Sequence, residues 1–97
     1  TRMLQELCTV RGIRRFVFAS TCSVYGVGED LCSEESALNP VSLYARSKID
    51  SERILLNNAN GSFQPTVLRF ATAFGWSLRP RFDLVVNTFA AKALAVQ

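Results

Sequence analysis

The amino-acid sequence predicts an α/β fold in which parallel strands alternate with helices. Two short apolar runs, residues 16–19 and 66–70, are separated by one helical segment and flanked by two others. Continuous apolar runs are typical of parallel strands covered on both faces, and a helix between them implies a right-handed crossover. Because a two-stranded sheet is marginal by itself, we expect the chain to be the central part of a larger doubly wound sheet.

The first three elements have separate local signals. Residues 2–11 are predicted as a helix, because apolar residues recur there at helical spacing and Gly12 provides a stop. The strand at residues 16–19 lies between two arginines and a hydroxyl cluster. Residues 42–58 are predicted as the second helix, since Pro40 precedes the start without harm and an asparagine-rich stretch ends it.

The last two elements follow in the same way. Pro65 precedes the second strand, residues 66–70, and a loop with Gly75 and Pro80 leads to an amphipathic segment. We expect Asp83 to cap that last helix. Its apolar face is formed by Leu84, Val85, Thr88, Phe89 and Leu94. The apolar faces of the first and last helices are expected to pack on the sheet or on a neighbouring helix.

The composition is that of a globular protein, since 48% of the 97 residues are hydrophobic and 20% are charged. The net charge of +3 comes without a basic stripe, so no nucleic-acid partner is expected. No apolar run approaches the ~20 residues that cross a bilayer, so no membrane partner is expected. Three cysteines without CxxC spacing, and no histidine, predict no metal site and favour reduced thiols in the cytoplasm.

Tyr44 and Lys48 carry the clearest chemical signal. A spacing of four places both side chains on one face of a helix. A phenol holds its proton up to about pH 10 and is a weak base at neutral pH. A neighbouring ammonium favours the phenolate, which makes Tyr44 a candidate general acid and base. The same pair also occurs by chance on many helices.

Three separate stretches are expected to meet at one edge of the sheet. Ligands of open parallel sheets bind beyond the carboxyl ends of the strands. Residues 20–26 follow the first strand, residues 69–75 follow the second, and the helix between them presents Tyr44 and Lys48. Catalytic groups are often found on such loops.

Five motifs follow one another in a characteristic order. They are Ser20-Thr21-Cys22-Ser23, Val24-Tyr25-Gly26, Asn39-Pro40, Tyr44-Ala45-Arg46-Ser47-Lys48 and Leu68-Arg69-Phe70. This order resembles the extended short-chain dehydrogenase/reductase family, whose members include NAD-dependent nucleotide-sugar epimerases and dehydratases. The resemblance covers essentially the whole chain and implies a partial Rossmann-type fold. It also implies a nucleotide-sugar substrate and, in the full-length protein, allows a homodimer.

The resemblance implies a role for three catalytic residues. Tyr44 would exchange a proton with a sugar hydroxyl or keto oxygen, and Lys48 would bind the nicotinamide ribose and favour the phenolate. Thr21 would donate a hydrogen bond to the reacting oxygen. The implied reaction transfers a hydride to bound NAD, forms a transient ketone and then returns the hydride.

Further contacts are implied for the cofactor and the substrate. The implied cofactor contacts are Ser20, Tyr44, Lys48, Phe70, Ala71 and Ala73. The implied substrate contacts are Thr21, Ser23, Thr72 and Arg81, with Arg79 beside them. Arginines suit a diphosphate, although a solvated surface position fits Arg79 and Arg81 equally well.

Other polar residues are expected to be structural. Arg69 ends a buried strand, so we expect it to hydrogen-bond to and brace neighbouring loops. Tyr25 is expected to pack under its loop, and Cys22 to act as a small filler. A solvated loop is expected at Glu29, Asp30, Glu34 and Glu35.

The chain also departs from the family pattern. It contains neither a GxxGxxG motif nor an acidic residue placed to hold the adenosine ribose, so NAD versus NADP stays open. The chain also opens at Thr1-Arg2 in mid-pattern, without Met. Residues 1–97 are therefore interpreted as a partial domain that lacks the N-terminal glycine-rich loop and the C-terminal substrate lobe. Such a fragment is expected to be inactive in isolation.

Two substitutions bear on the type of reaction. Many family dehydratases carry Asp and Glu directly after the catalytic Thr, where this chain has Cys22 and Ser23. Epimerisation or simple oxidoreduction is therefore favoured over dehydration. Thr72 stands where many epimerases carry Asn, so the sugar stays open. A non-catalytic cofactor-binding relative and a stand-alone two-strand module remain as alternatives.

Overall fold

The predicted order of helix, strand, helix, strand and helix is confirmed by a computed structural model, which describes residues 1–28 and 31–96. The elements are α1 (Arg2–Val10), β1 (Arg15–Thr21), a 3₁₀ helix (Cys22–Tyr25), α2 (Leu43–Asn57), β2 (Gln64–Phe70) and α3 (Val85–Ala95). The predicted Glu29 and Asp30 loop positions lie outside the described residues.

The two strands are parallel and in register from Arg15 beside Gln64 to Thr21 beside Phe70. Both therefore end at the same edge, and α2 forms the crossover between them. Ser42 caps α2, because its hydroxyl accepts a hydrogen bond from the Ala45 amide at 3.1 Å. This cap fixes the start of α2 and therefore the position of its first turn relative to the ends of the strands.

The core lies between α1, α2 and one face of the sheet. Cys8 of α1, Leu55 of α2 and Phe63 form its centre, and Phe16 and Phe18 of β1 pack against them. The Phe16 and Phe63 ring centroids are 6.0 Å apart in a tilted arrangement. Burying side chains of this size contributes about 2 kcal/mol each, which makes this cluster the main tie between α1, α2 and the sheet.

Both faces of the sheet were predicted to be covered, but in the structure one face is mostly exposed. Side chains alternate between faces along a strand, and those on the face away from the core, among them Val17 and Phe70, are mostly exposed. The reason is that α2 packs on the opposite face and the described residues place no helix over this one. The radius of gyration of 17.1 Å exceeds the ~13 Å of a compact domain of this size.

The prediction that the apolar faces of the terminal helices are buried is also wrong for the described chain. α1 turns Gln5 and Cys8 towards α2 and the core, so its apolar stripe lies on another side and is exposed. Of the five apolar residues at helical spacing, Cys8 is buried as expected, and the exposed stripe consists of Met3, Leu4, Leu7 and Val10. No residue of α3 is buried. Within the described residues, no helix has both the length and the apolar character that a bilayer crossing demands.

Gly26 closes the 3₁₀ helix in a conformation that needs glycine. Its φ is +80°, and a Cβ atom there would lie 2.0 Å from the Asn39 carbonyl oxygen. We expect Gly26→Ala to lower the free energy of unfolding of the complete protein by about 2 kcal/mol, because strain and overlap add. Gly28→Ala is the matched control, since a Cβ atom there meets nothing within 4 Å. Equal urea midpoints for the two variants would contradict this close approach.

Candidate active site

A cavity of about 800 Å³ lies at the carboxyl ends of β1 and β2. Its wall is built by the 3₁₀ helix, the first turn of α2, the segment after β2 and the start of α3. The sequence-predicted residues in this wall are Ser20, Thr21, Ser23, Tyr44, Phe70, Ala71, Thr72, Ala73 and Arg81. Four chain segments thus converge on one cavity, as the topology requires for parallel strands.

Thr21 is the last residue of β1 and the N-cap of the 3₁₀ helix. Its hydroxyl accepts a hydrogen bond from the Ser23 amide at 3.2 Å and donates to Ser23 Oγ at 3.1 Å. The side chain is 9% exposed, so little of it faces the cavity. Since a hydroxyl hydrogen rotates freely, it can be redirected from Ser23 to a ligand oxygen while the cap is kept.

Tyr44 lies in the first turn of α2 with its ring in the cavity wall and 56% of its surface exposed. The Lys48 Nζ atom lies 5.7 Å from the centre of that ring, so both side chains leave α2 on the same side. Nζ also lies 4.8 Å from the Phe18 ring centre and donates to the Ala19 carbonyl at 2.9 Å. An ammonium has three donors, so two are left for a ligand.

A buried polar cluster lies directly behind the strand ends. Glu52 of α2 is 2% exposed and accepts hydrogen bonds from the Ser20 hydroxyl and from Arg69, whose Nη2 atom lies 2.6 Å from Glu52 Oε2. Arg69 also donates to the Tyr25 hydroxyl at 2.9 Å and to the Glu34 carbonyl at 3.4 Å. The prediction that Arg69 braces neighbouring loops is confirmed.

The charges of this cluster stabilise each other. Burial raises the pKa of the Glu52 carboxyl, but hydrogen bonds from Arg69 and Ser20 and the Arg69 charge outweigh burial, so the pKa lies below its ordinary value. The hydrogen bond to Glu52 in turn raises the pKa of Arg69. Both groups are therefore charged at neutral pH, and neither is left unpaired within the fold.

Arg81 and Asp83 form an ion pair beside the cavity. Arg81 Nε donates to Asp83 Oδ1 at 3.1 Å; the hydrogen bond raises the pKa of Arg81 and lowers that of Asp83. The prediction that Asp83 caps the last helix is wrong, because this pair occupies its carboxylate. Leu84 is the N-cap residue of α3, without a side-chain hydrogen bond.

Sequence reasoning did not single out Glu52 or Asn87. Glu52 follows Lys48 by four residues, and this spacing indicates a shared side of the helix but no partner for the carboxylate. Asn87 is a polar residue within the apolar sequence of α3, and it lines the cavity. Its side-chain amide donates a hydrogen bond to the Arg81 carbonyl at 3.0 Å and accepts one from the Gly75 amide at 3.4 Å. It thus ties α3 at two points to the segment that connects β2 to α3.

The structure places the remaining predicted residues as follows. Tyr25 is half-buried beneath Arg69, whose guanidinium lies 5.1 Å from its ring centre, in agreement with the expectation that it packs under its loop. Glu34 and Glu35 are exposed. Cys22 is not a filler, because the 3₁₀ helix turns it outward into the cavity wall, where it is exposed.

The wall offers a phenol, hydroxyls, backbone groups and two guanidinium groups. Among its described residues, Arg79 and Arg81 are the ones with a formal charge, and Arg81 is paired with Asp83. Within residues 1–28 and 31–96, no three His, Cys, Asp or Glu side chains are grouped so that they could hold a metal ion. The arrangement can therefore bind an anionic ligand and exchange protons with its hydroxyls.

Comparison with known proteins gives a consistent result. Residues 1–96 match the family model described as the NAD dependent epimerase/dehydratase family. YtcB, an uncharacterized UDP-glucose epimerase of Bacillus subtilis (strain 168), is 37% identical to this chain. The matching region covers 79% of this chain and 25% of YtcB. A UDP-glucose 4-epimerase of Rhizobium leguminosarum bv. trifolii is 34% identical over 77% of this chain and 24% of its own.

Solved structures show the same similarity. MoeE5 in complex with UDP-glucose and NAD superposes with a TM-score of 0.72 at 34% identity, over 90% of this chain and 29% of its own. MoeE5 in complex with UDP-glucuronic acid and NAD gives a TM-score of 0.73 over the same shares. The chain thus spans about a quarter of the length of the curated relatives it matches.

Proposed function

This chain belongs to the NAD-dependent epimerase/dehydratase family, and from that premise we propose that it is the central part of an enzyme that epimerises a nucleotide sugar. The observation that supports this best is the Lys48 ammonium 5.7 Å from the centre of the Tyr44 ring, because Tyr44 lines the same cavity as Thr21. Lys48 itself stands behind Tyr44 and is not part of the described wall. In this proposal, residues 1–97 correspond to a partial domain, and the complete protein supplies the glycine-rich loop and the substrate lobe.

Each of the three residues has a defined task in the proposed reaction. Tyr44 accepts the proton of a sugar hydroxyl while the carbon that bears this hydroxyl is oxidised. In the reverse step Tyr44 returns a proton to the keto oxygen. Lys48 stabilises the negative charge that the phenol carries after losing its proton. Thr21 donates a hydrogen bond to the same sugar oxygen, which holds it near Tyr44 while the charge on that oxygen changes.

The residues at this edge suit the nicotinamide end of NAD. Among the described residues, Lys48 donates one hydrogen bond, to Ala19, and its other donors can bind ribose hydroxyls. Residues 70–73 are an exposed segment at the end of β2, and their peptide groups can pair with a carboxamide. Bound there, the nicotinamide would supply the hydride acceptor and donor of the reaction. Ser20 contributes less than its predicted role requires, since its hydroxyl is buried and donates to Glu52. NADP remains the alternative cofactor.

The charge of the wall supports a nucleotide-sugar substrate. Arg79 and Arg81 line the cavity, and guanidinium groups suit a diphosphate, although Arg81 would have to share its donors with Asp83. Relatives are UDP-glucose epimerases by name, and MoeE5 binds UDP-glucose and UDP-glucuronic acid. We therefore propose UDP-hexoses as the first substrates to test, with Ser23 and Thr72 contacting the sugar.

A dehydratase or a reductase of the same family is the second candidate. Eliminating water needs a carboxylate acid and base, and the two positions after Thr21 hold Cys22 and Ser23. Among the described residues of the wall, none is Asp or Glu. This favours epimerisation or simple oxidoreduction over dehydration.

The complete protein is also proposed to form a homodimer in the cytoplasm. The exposed apolar stripe on α1 needs a surface to cover it, and in this proposal a second copy of the complete protein provides that surface. The cytoplasmic location stays a prediction from cysteine usage.

Substrate conversion in D₂O tests the proposed reaction. The complete protein with NAD is incubated with UDP-glucose or UDP-glucuronic acid, and the products are examined by proton NMR. We expect the C4 epimer without deuterium on the inverted carbon, because the hydrogen leaves that carbon and returns without exchanging with water. Deuterium in a product that has lost water would indicate the dehydratase instead. Absence of any product, from a preparation that retains NAD, would contradict both.

A further inference from the structure

The face of α2 that carries Tyr44 and Lys48 continues for one more turn. Tyr44, Lys48 and Glu52 are spaced by four residues each, so their side chains leave the same side of the helix. The last two bind successive residues at the end of β1. Lys48 donates to the Ala19 carbonyl, and Glu52 accepts from the Ser20 hydroxyl.

Arg69 extends these contacts to the second strand. It is the partner of Ser20 in the sheet register, and its guanidinium donates to both carboxylate oxygens of Glu52. The Arg69 Nη1 atom donates a further hydrogen bond to the Tyr25 hydroxyl at 2.9 Å. A single carboxylate on α2 therefore joins the ends of both strands, and through Arg69 it also holds the end of the 3₁₀ helix.

The Glu52 and Arg69 contacts hold the chain both just before and just after Thr21. Ser20 precedes it directly, and the 3₁₀ helix that it caps ends at Tyr25. Glu52, Ser20 and Thr21 are all buried, at 2%, 5% and 9% exposure, so none of these contacts competes with bulk water. Glu52 does not line the cavity, and its hydrogen-bond partners Ser20 and Arg69 are not among the three residues that carry the proposed reaction.

We propose that Glu52 is a positioning residue, which through Ser20 and Arg69 holds the Thr21 hydroxyl at the place where it meets the oxygen that reacts with Tyr44. This inference rests on the proposed function. Its physical basis is that Tyr44 and Thr21 come from different elements, α2 and β1, and that Lys48 and Glu52 join those elements at successive turns. A misplacement of about 1 Å is sufficient to lower a rate on the order of a hundredfold.

Kinetics of the complete enzyme with bound NAD test the proposal. Glu52→Gln keeps the side-chain shape and removes the charge. We expect kcat to fall about ten- to a hundredfold while KM and NAD affinity stay within about twofold. Asp50→Asn is the matched control, since it makes the same change on the same helix at a side chain that is 70% exposed. Its kcat should equal that of the wild type.

A Thr21→Ala background separates positioning from general damage. Without the hydroxyl there is nothing for Glu52 to place, so Glu52→Gln should lower kcat by less than about twofold in that background. An equal loss in both backgrounds would overturn the proposal, because a purely structural role lowers kcat by the same factor in each. If Glu52→Gln does not fold, Ser20→Ala decides in the same two backgrounds, with NAD affinity measured alongside, since it leaves the Glu52–Arg69 pair intact.

Failure of this inference is distinguishable from failure of the proposed function. Full turnover by Thr21→Ala would remove the proposed role of Thr21 and with it the proposal for Glu52. Slow turnover by Thr21→Ala together with wild-type turnover by Glu52→Gln would overturn the positioning role alone.

Discussion

Replacing Tyr44 by Phe in the complete protein should lower kcat about a thousandfold, within the range for loss of a general acid and base. The change removes only the hydroxyl and leaves the ring beside Lys48, so NAD should remain bound. Because the side chain is 56% exposed and its hydroxyl has no hydrogen-bond partner among the described residues, folding should hardly change. Steady-state turnover, NAD content and melting temperature measure the three effects.

Ser51→Ala is the control for Tyr44→Phe. It removes a hydroxyl from the same helix, at a position whose side chain binds the Thr1 hydroxyl at 2.7 Å and does not line the cavity. We expect its kcat to match that of the wild type. Turnover retained by Tyr44→Phe would show that another group transfers the proton and would remove the main support of the proposed mechanism.

Lys48→Ala should have the second largest effect and should act on two quantities at once. Removing the ammonium takes away the charge beside Tyr44 and the donors available to the cofactor. We expect kcat to fall about a hundredfold and NAD to bind about tenfold more weakly. Stability should fall by about 1 kcal/mol through loss of the hydrogen bond to Ala19 and the contact with Phe18.

Lys92→Ala is the matched control, because Lys92 is the only other lysine of the chain and lies exposed in the last turn of α3. Isothermal titration with NAD and steady-state kinetics are measured on both variants. If Lys48→Ala loses turnover but binds NAD as the wild type does, Lys48 serves Tyr44 alone and its contact with the ribose is excluded.

The sequence predicted the order of elements because that order depends on local patterns. Apolar runs, a Ser at the start of α2 and a glycine after α1 act within a few residues, and α2 begins one residue after the predicted Ser42. The shared side of Tyr44 and Lys48 follows from helix geometry alone. The convergence of three loops at one edge follows from parallel strands, and the described cavity lies there.

Contacts between distant residues were outside the reach of such patterns. Arg69 ends a strand and predictably needs partners, but nothing local indicates that Glu52, 17 residues earlier, provides the charge. For the same reason the buried side of α1 was misjudged. The predicted apolar stripe included Cys8, but packing on α2 buries Gln5 beside it and leaves Met3, Leu4, Leu7 and Val10 exposed. Asp83 was mistaken for a cap because competition from the Arg81 guanidinium is invisible to capping statistics.

The sequence by itself determined the α/β order, the parallel sheet and the residues that meet at its carboxyl edge, because periodicity and spacing are properties of neighbouring residues. Only the tertiary structure decided which helix faces are buried, that the sheet is covered on one side among the described residues, and that Glu52 joins both strand ends. These features depend on how α2 packs on the sheet, and a buried charge takes whichever partner that packing brings within hydrogen-bonding distance.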